Sequence, residues 1–236
     1  MIGLTEQFAS QIGWKIGKKT VVVEGTTDVG FLAHASILHE QAYGRSILDT
    51  DFAIVAAGAG DDGGVDGINR RLNTVRQLAD ADRDADGAVV HQFVGLYDND
   101  RAGRNALADA LKFDRRLKPY TDLFLLHPIM PLRTNLDSEL AAEVSRVNHW
   151  FSGLDWEIED LCSSRILEAF ERANPRAILS RRAGGGRMHR EFARSAKPDL
   201  KRFFIDTAVI DDAEGMIRLM QALRSYVGVD HAFIGI

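Results

Sequence analysis

The sequence predicts an α/β fold: a mainly parallel sheet flanked by helices, followed by a helical C-terminal extension. Three observations carry that expectation. Between residues 17 and 130, short apolar or β-branched runs alternate with amphipathic helical stretches. That strand–helix–strand order builds a parallel sheet covered on both faces. Two of the runs, Lys19–Glu24 and Phe93–Tyr97, stop abruptly at acidic residues and a glycine, as buried strands do when they end in a crevice. After His127-Pro128 the alternation gives way to helical patterns. The expected boundaries are therefore 1–130 for the α/β domain and 131–236 for a helical cover that completes the site and packs on the same domain.

The first sixteen residues, with Phe8, Ile12, Trp14 and Ile16, suit a short helix. Gly13 to Thr20 has only a passing similarity to a phosphate loop: Gly-x-x-x-Gly-Lys-Lys is one residue short and precedes a strand instead of following one. Val21–Glu24 is the first strand. Thr26 or Thr27 then caps a helix running to about Glu40, with Phe31, Leu32, Ala35 and Leu38 inward. His34 and His39 lack a metal-binding spacing and read as surface or satisfied. Phe52–Ala56 is a second strand, and Gly58 to Gly64 is a flexible loop that either wraps the site or forms an acidic surface connection. A helix from about Asp66 to Ala81 buries Ile68, Leu72, Val75 and Leu78, and Asp80 to Asp86 forms a polar turn. His91–Tyr97 is the third strand, Ala102–Phe113 a helix and Leu123–Leu126 the fourth strand. Beyond Pro128 and Pro131, helical patterns cover Leu136–Val147 and Ala213–Tyr226. Another helix opens at Lys197-Pro198, with proline in its first turn. Gly184-Gly185-Gly186, flanked by arginines, reads as a mobile basic loop.

Bulk composition narrows the class. An apolar fraction of 45% in 236 residues is ample for a packed core, and no apolar run approaches the ~18 residues of a membrane span. There is no secretory pattern at the N-terminus. The single cysteine, Cys162, excludes an intramolecular disulfide and reads as a small buried hydrophobe. These features favour a cytoplasmic protein with no membrane partner. The net charge of −5 is unevenly spread. Residues 165–202 hold 11 Lys or Arg against 4 Asp or Glu, whereas the remainder holds 18 against 30. Arg181, Arg182 and Arg187 in the basic segment are candidate nucleic-acid contacts, and a solvated helical face is the competing reading.

The candidate site lies where the acidic strand ends meet. Neighbouring parallel strands would bring Glu24, Asp98 and Asp100 together. Asp98 and Asp100 are two apart, so a persisting strand would aim both the same way at one cation. Clustered carboxylates suit a hard divalent ion, Mg²⁺ or Mn²⁺. Asp28, in the first turn of its helix, is either a further ligand or a capping residue.

Glu24-Gly25-Thr26-Thr27-Asp28 and Asp98-Asn99-Asp100-Arg101-Ala102-Gly103, each behind an apolar run, resemble the paired motifs of the Toprim domain. That domain occurs in topoisomerases, primases, RecR-type proteins and OLD-type nucleases, and the OLD-type enzymes are the nearest in flavour. The resemblance implies a Toprim-like fold over roughly residues 17 to 130. It also implies a nuclease, a hydrolase cutting the phosphodiester bonds of DNA or RNA by a one- or two-metal mechanism. Glu24 would ligate metal or relay a proton. In Leu154–Leu161 the resemblance transfers a second-metal carboxylate to Glu159, with Glu157 and Asp160 as alternatives, against the plain reading of acids at a helix start. It also makes Lys197 a catalytic candidate, with Lys201 behind it. A topoisomerase would need a tyrosine nucleophile in a separate domain, which Tyr43, Tyr97, Tyr120 and Tyr226 do not supply. The alternative function is a non-enzymatic Toprim-fold binding or regulatory subunit of a larger complex. A homodimer, or a separate ATPase or other protein partner, is compatible with either.

Overall fold

Four parallel strands form the sheet of the computed structural model, which describes residues 3–58, 63–133 and 139–229. Their order is β2 (Phe52–Gly58), β1 (Lys19–Gly25), β3 (Gln92–Tyr97) and β4 (Leu123–Leu125). Lys19 is level with both Phe52 and Gln92, so β1 and β3 run out at the same edge. The helices are α1 (Leu4–Gln11), α2 (Thr26–Tyr43), α3 (Gly64–Ala81), α4 (Arg101–Phe113) and α5 (Leu140–Val147). They continue with α6 (Ser164–Ala173), α7 (Lys197–Thr207) and α8 (Glu214–Tyr226).

The two faces of β1 explain the layers. Successive strand residues point to opposite sides. Val22 joins Val55, Phe93 and Tyr97 under α3 and α4, where Ile68, Leu72, Val75, Ala106 and Ala110 close that core. Val21 and Val23 face the other way, into a larger core with Phe31 and Leu32 of α2. Phe204 of α7 and Leu219 of α8 belong to that same core, so the C-terminal half shares its apolar interior with the sheet. Cys162 is buried there too. Among the described residues, no helix is long and apolar enough to cross a membrane.

Several expectations need correction. The glycine-rich basic stretch is the turn of a β-hairpin, β5 (Ile178–Gly184) with β6 (Arg187–Phe192), and not an open loop. Gly184 pairs with Arg187, leaving Gly185 (φ 58°) and Gly186 (φ 79°) as the two turn residues. Positive φ at both positions is the type I′ pattern that matches strand twist, and glycine adopts it without steric cost. The segment at Ile158–Leu161 is one 3₁₀ turn, not the start of an α-helix. The helix before it spans Leu140–Val147, and the expected start near Leu136 lies outside the described residues, as do residues 59–62 of the acidic connection. His39 is satisfied, its Nδ1 lying 2.9 Å from the Arg45 carbonyl oxygen. His34 is not: its Nε2 is buried without a hydrogen-bond partner.

Candidate functional site

β1 delivers Glu24 to the edge of the sheet and the chain turns at once into α2. Asp28 is the third residue of that helix, and its Oδ2 accepts the Gly25 N–H at 2.8 Å. Capping therefore accounts for one oxygen of Asp28, although the side chain is also buried among other carboxylates. β3 delivers Asp98, whose backbone N–H donates to Glu24 Oε1 at 3.3 Å. The strand stops at Tyr97, so the expected shared direction of Asp98 and Asp100 does not persist. Asp100 instead caps α4, its Oδ1 accepting the Gly103 N–H at 2.7 Å. Gly103 is needed for this turn, because a β-carbon there would run into the Asp98 carbonyl.

A non-local bridge brings the second acidic segment to the first. Asn99 donates its N–H to the Trp156 oxygen at 2.9 Å and accepts from the Trp156 N–H at 3.3 Å. Arg104 staples the same junction, with Nη1 on the Asn99 oxygen at 2.7 Å and Nη2 on Asp155 Oδ1 at 2.9 Å. The three candidates after Trp156 then separate. Asp160 is fully engaged: it accepts from the Glu157 N–H at 2.9 Å and the Arg190 N–H at 3.2 Å, and meets His189 Nδ1 at 2.6 Å. The helix-start role thus belongs to Asp160 and not to Glu159. Glu159 is 1% exposed and turns to Lys197, whose Nζ lies 3.1 Å from Glu157 Oε2 and 3.3 Å from Glu159 Oε2. Glu159 Oε1 is also 3.3 Å from that nitrogen, but poorly aligned, and it has no hydrogen-bond partner.

The electrostatics tie these groups together. Burial, then the Asp28 charge, pushes Glu24 up to about 7. Burial, then Glu159, does the same to Asp28, also to about 7. Asp98 is held well above the usual carboxylate range by burial and by Glu24, Asp28 and Glu159. Burial also raises Glu157. For Lys197, burial works against the charge, but Glu159, Glu157 and Asp98 outweigh it and the ammonium is held strongly. Glu24, Asp28, Asp98, Glu159 and Lys197 therefore share one electrostatic site, with Asp100 at its margin through its effect on Glu24. Lys201 is not part of it; its stem packs over Gly30 of α2.

The arginines do not form one patch. Consecutive residues of β5 point to opposite faces. Arg181 pairs with Glu171 of α6, whereas Arg182 approaches Asp155 at 3.5 Å. Arg187 lies over the Trp156 ring, 5.7 Å from its centre. Much of the local positive charge is answered within the chain, although all three side chains stay exposed.

Sequence reasoning missed Asn99 and His127. Asn99 Nδ2 lies 3.2 Å from His127 Nδ1, and His127 Nε2 lies 2.7 Å from the Tyr120 hydroxyl. An amide nitrogen can only donate, so Nδ1 accepts and Nε2 carries the hydrogen toward Tyr120. Burial lowers His127 to about 4, keeping the ring neutral. The only signal was the asparagine between two aspartates, which looks like a spacer.

As the side chains stand, no three His, Cys, Asp or Glu among the described residues gather closely enough to hold a metal ion. The donor chemistry nevertheless fits one: the groups are carboxylates, and Glu159 carries a buried oxygen with no hydrogen-bond partner. In comparisons with protein-family models, curated proteins and solved structures, nothing matches the chain.

Proposed function

We propose that the protein is a Mg²⁺- or Mn²⁺-dependent nuclease that hydrolyses phosphodiester bonds of DNA or RNA, in keeping with its resemblance to Toprim enzymes. One observation carries the reading: Glu24 and Asp98 at the ends of parallel strands and Asp28 in the turn beside them are all pushed above the usual carboxylate range, by burial first and then by neighbouring carboxylate charges that include Glu159. Glu24, Asp28, Asp98 and Glu159 are the residues that would hold the cation, with Asp100 at the margin. A bound divalent ion would supply an acidified water and charge for the leaving oxygen. The chain's own groups do the rest. Glu24 stands at about 7 without metal, so it would instead be matched to taking a proton near neutral pH if the cation is held by the other carboxylates. Lys197 brings a permanent positive charge to the phosphate, and Arg182 and Arg187 lie on the side of the hairpin facing residues 155 and 156.

A second reading has its own support. Lys197 already gives Glu157 and Glu159 a cation, as in a non-enzymatic binding subunit that needs no metal. The two separate in one assay, with labelled single- and double-stranded DNA and RNA and either Mg²⁺ or Mn²⁺. The nuclease reading expects metal-dependent cleavage that falls by about 10³-fold in Glu24→Gln. Bound but intact substrate in every condition would overturn it and favour the subunit.

A further inference from the structure

We propose that a cavity beside β2 binds one nucleoside phosphate unit of a nucleic-acid strand, next to the carboxylate cluster. The substrate class rests on the nuclease reading above; the binding residues are separate from that site. The cavity measures about 610 Å³ and lies between the turn after α1, the C-terminal half of β2 and the start of α2. Ligand sites fall at roughly 300–1,000 Å³, with apolar walls and a few polar groups. Here Trp14, Val29 and Ile54 line the wall, and the Trp14 indole is fixed by its Nε1–H donating to the Ala56 oxygen at 2.7 Å.

The polar groups indicate an anion. Lys15 and Arg71 both line the cavity, and neither pairs with a carboxylate among the described residues. Arg71 Nε is buried without a hydrogen-bond partner. A buried charged donor is costly unless an acceptor meets it, and phosphate oxygens are suitable acceptors. A second cavity of about 450 Å³, between α3 and α4, makes the contrast. Its arginines are answered within the chain, Arg76 by Asp122 and Arg116 by Asp114, each at 2.8 Å. Of these two cavities, the one beside β2 combines an apolar wall with cations that meet no carboxylate among the described residues.

Position supplies the link to a strand. Thr26 lines the cavity and stands two residues from both Glu24 and Asp28. A strand with its scissile phosphate at the carboxylates would place the neighbouring nucleotide here, base on the apolar wall and phosphate on Lys15 and Arg71. The start of α2 favours anions, but Asp28 in the same turn offsets that field, so the two cations carry the recognition.

The test uses the full chain in EDTA, with thymidine 5′-monophosphate titrated against tryptophan fluorescence in a Trp150→Phe background, where Trp14 and Trp156 remain. The response should vanish when Trp14→Phe is added, and a response that survives Trp14→Phe overturns the site. Saturable quenching is expected, weaker for thymidine and for inorganic phosphate. Arg71→Gln and Lys15→Gln should each weaken binding roughly tenfold. Lys15 is exposed, so its variant reports even if Arg71→Gln misfolds. A 5′-phosphorylated oligonucleotide should bind at least as tightly as the mononucleotide. No saturable quenching, or affinity unchanged in Lys15→Gln, overturns the site; mononucleotide binding without oligonucleotide binding overturns the strand assignment. No metal or cleavage enters the titration. Binding without metal-dependent cleavage therefore sinks the nuclease reading alone, and cleavage without binding sinks the cavity alone.

Discussion

Asp28 and Asp212 are both buried aspartates, at 8% and 3% exposure, yet their chemistry diverges. Asp212 is surrounded by donors: the Ser163 hydroxyl at 2.5 Å, Arg165 Nε at 2.9 Å and the Val209 N–H at 2.9 Å. Burial opposes its charge, but Arg165, Ser163 and Val209 outweigh it and hold the carboxyl at about 2. Asp28 receives one backbone N–H and faces another carboxylate, so burial and Glu159 carry it to about 7. Burial alone does not set a carboxyl's proton affinity; the donors that reach it decide the direction. The Asp212 cluster ties α6 to the turn before α8, whereas the Asp28 cluster gathers several buried acids around one cation, Lys197.

The comparison breaks first at Lys197, the cation that makes the carboxylate cluster tolerable. Lys197→Met should cost about 3 kcal/mol in guanidinium unfolding of the metal-free protein, because it leaves Glu157 and Glu159 buried without their counter-ion. Added Mn²⁺ should recover part of that loss. An unchanged midpoint would mean that the carboxylates are neutral without the lysine.

Asp212→Asn comes next, at about 2 kcal/mol, since it weakens charge-assisted bonds from Arg165 and Ser163 while keeping the side chain's shape. Its pH dependence has a definite sign. The folded value, about 2, lies below the ordinary 3.8, so the unfolded chain binds more protons in between. The stabilisation is therefore present above pH 4 and lost as pH falls toward 2. The variant should lack that part of the acid unfolding limb, and a wild-type limb retained in full would remove Asp212 from its causes.

The difference between these clusters was only partly legible in the sequence. β1 and β3 are readable because strands buried on both faces must be apolar throughout, and Glu24 and Asp98 stand out where such runs end. The fate of each carboxylate depends on distant donors. Asp160 and Glu159 are adjacent and equally acidic, but Asp160 meets His189 while Glu159 meets Lys197. The hairpin escaped notice because β5 is exposed on both sides and carries arginines where an apolar alternation would signal a strand. Once it forms, it sends Arg181 and Arg182 to different partners. The Asn99–Trp156 bridge, which joins the two acidic segments, leaves no local pattern at all.

The smallest effect is the sharpest test, because the same substitution should act with opposite sign at the two aspartates. Asp28→Asn retains an oxygen that can accept the Gly25 N–H, so the cap on α2 survives. What disappears is a carboxylate charge repelled by Glu159 and Glu24. The wild-type folded protein binds more protons than the unfolded chain between the ordinary 3.8 and about 7. Its metal-free stability therefore falls as pH rises through that window, and the variant is spared the contribution from Asp28. The neighbouring carboxylates share the repulsion, so the gain should be modest, about 1 kcal/mol at pH 8 and near zero at pH 4. Guanidinium unfolding in EDTA at both pH values measures it. A loss of stability at pH 8 would make the carboxylate a needed structural acceptor, as at Asp212, and would end the distinction between a satisfied aspartate and one held under strain for binding.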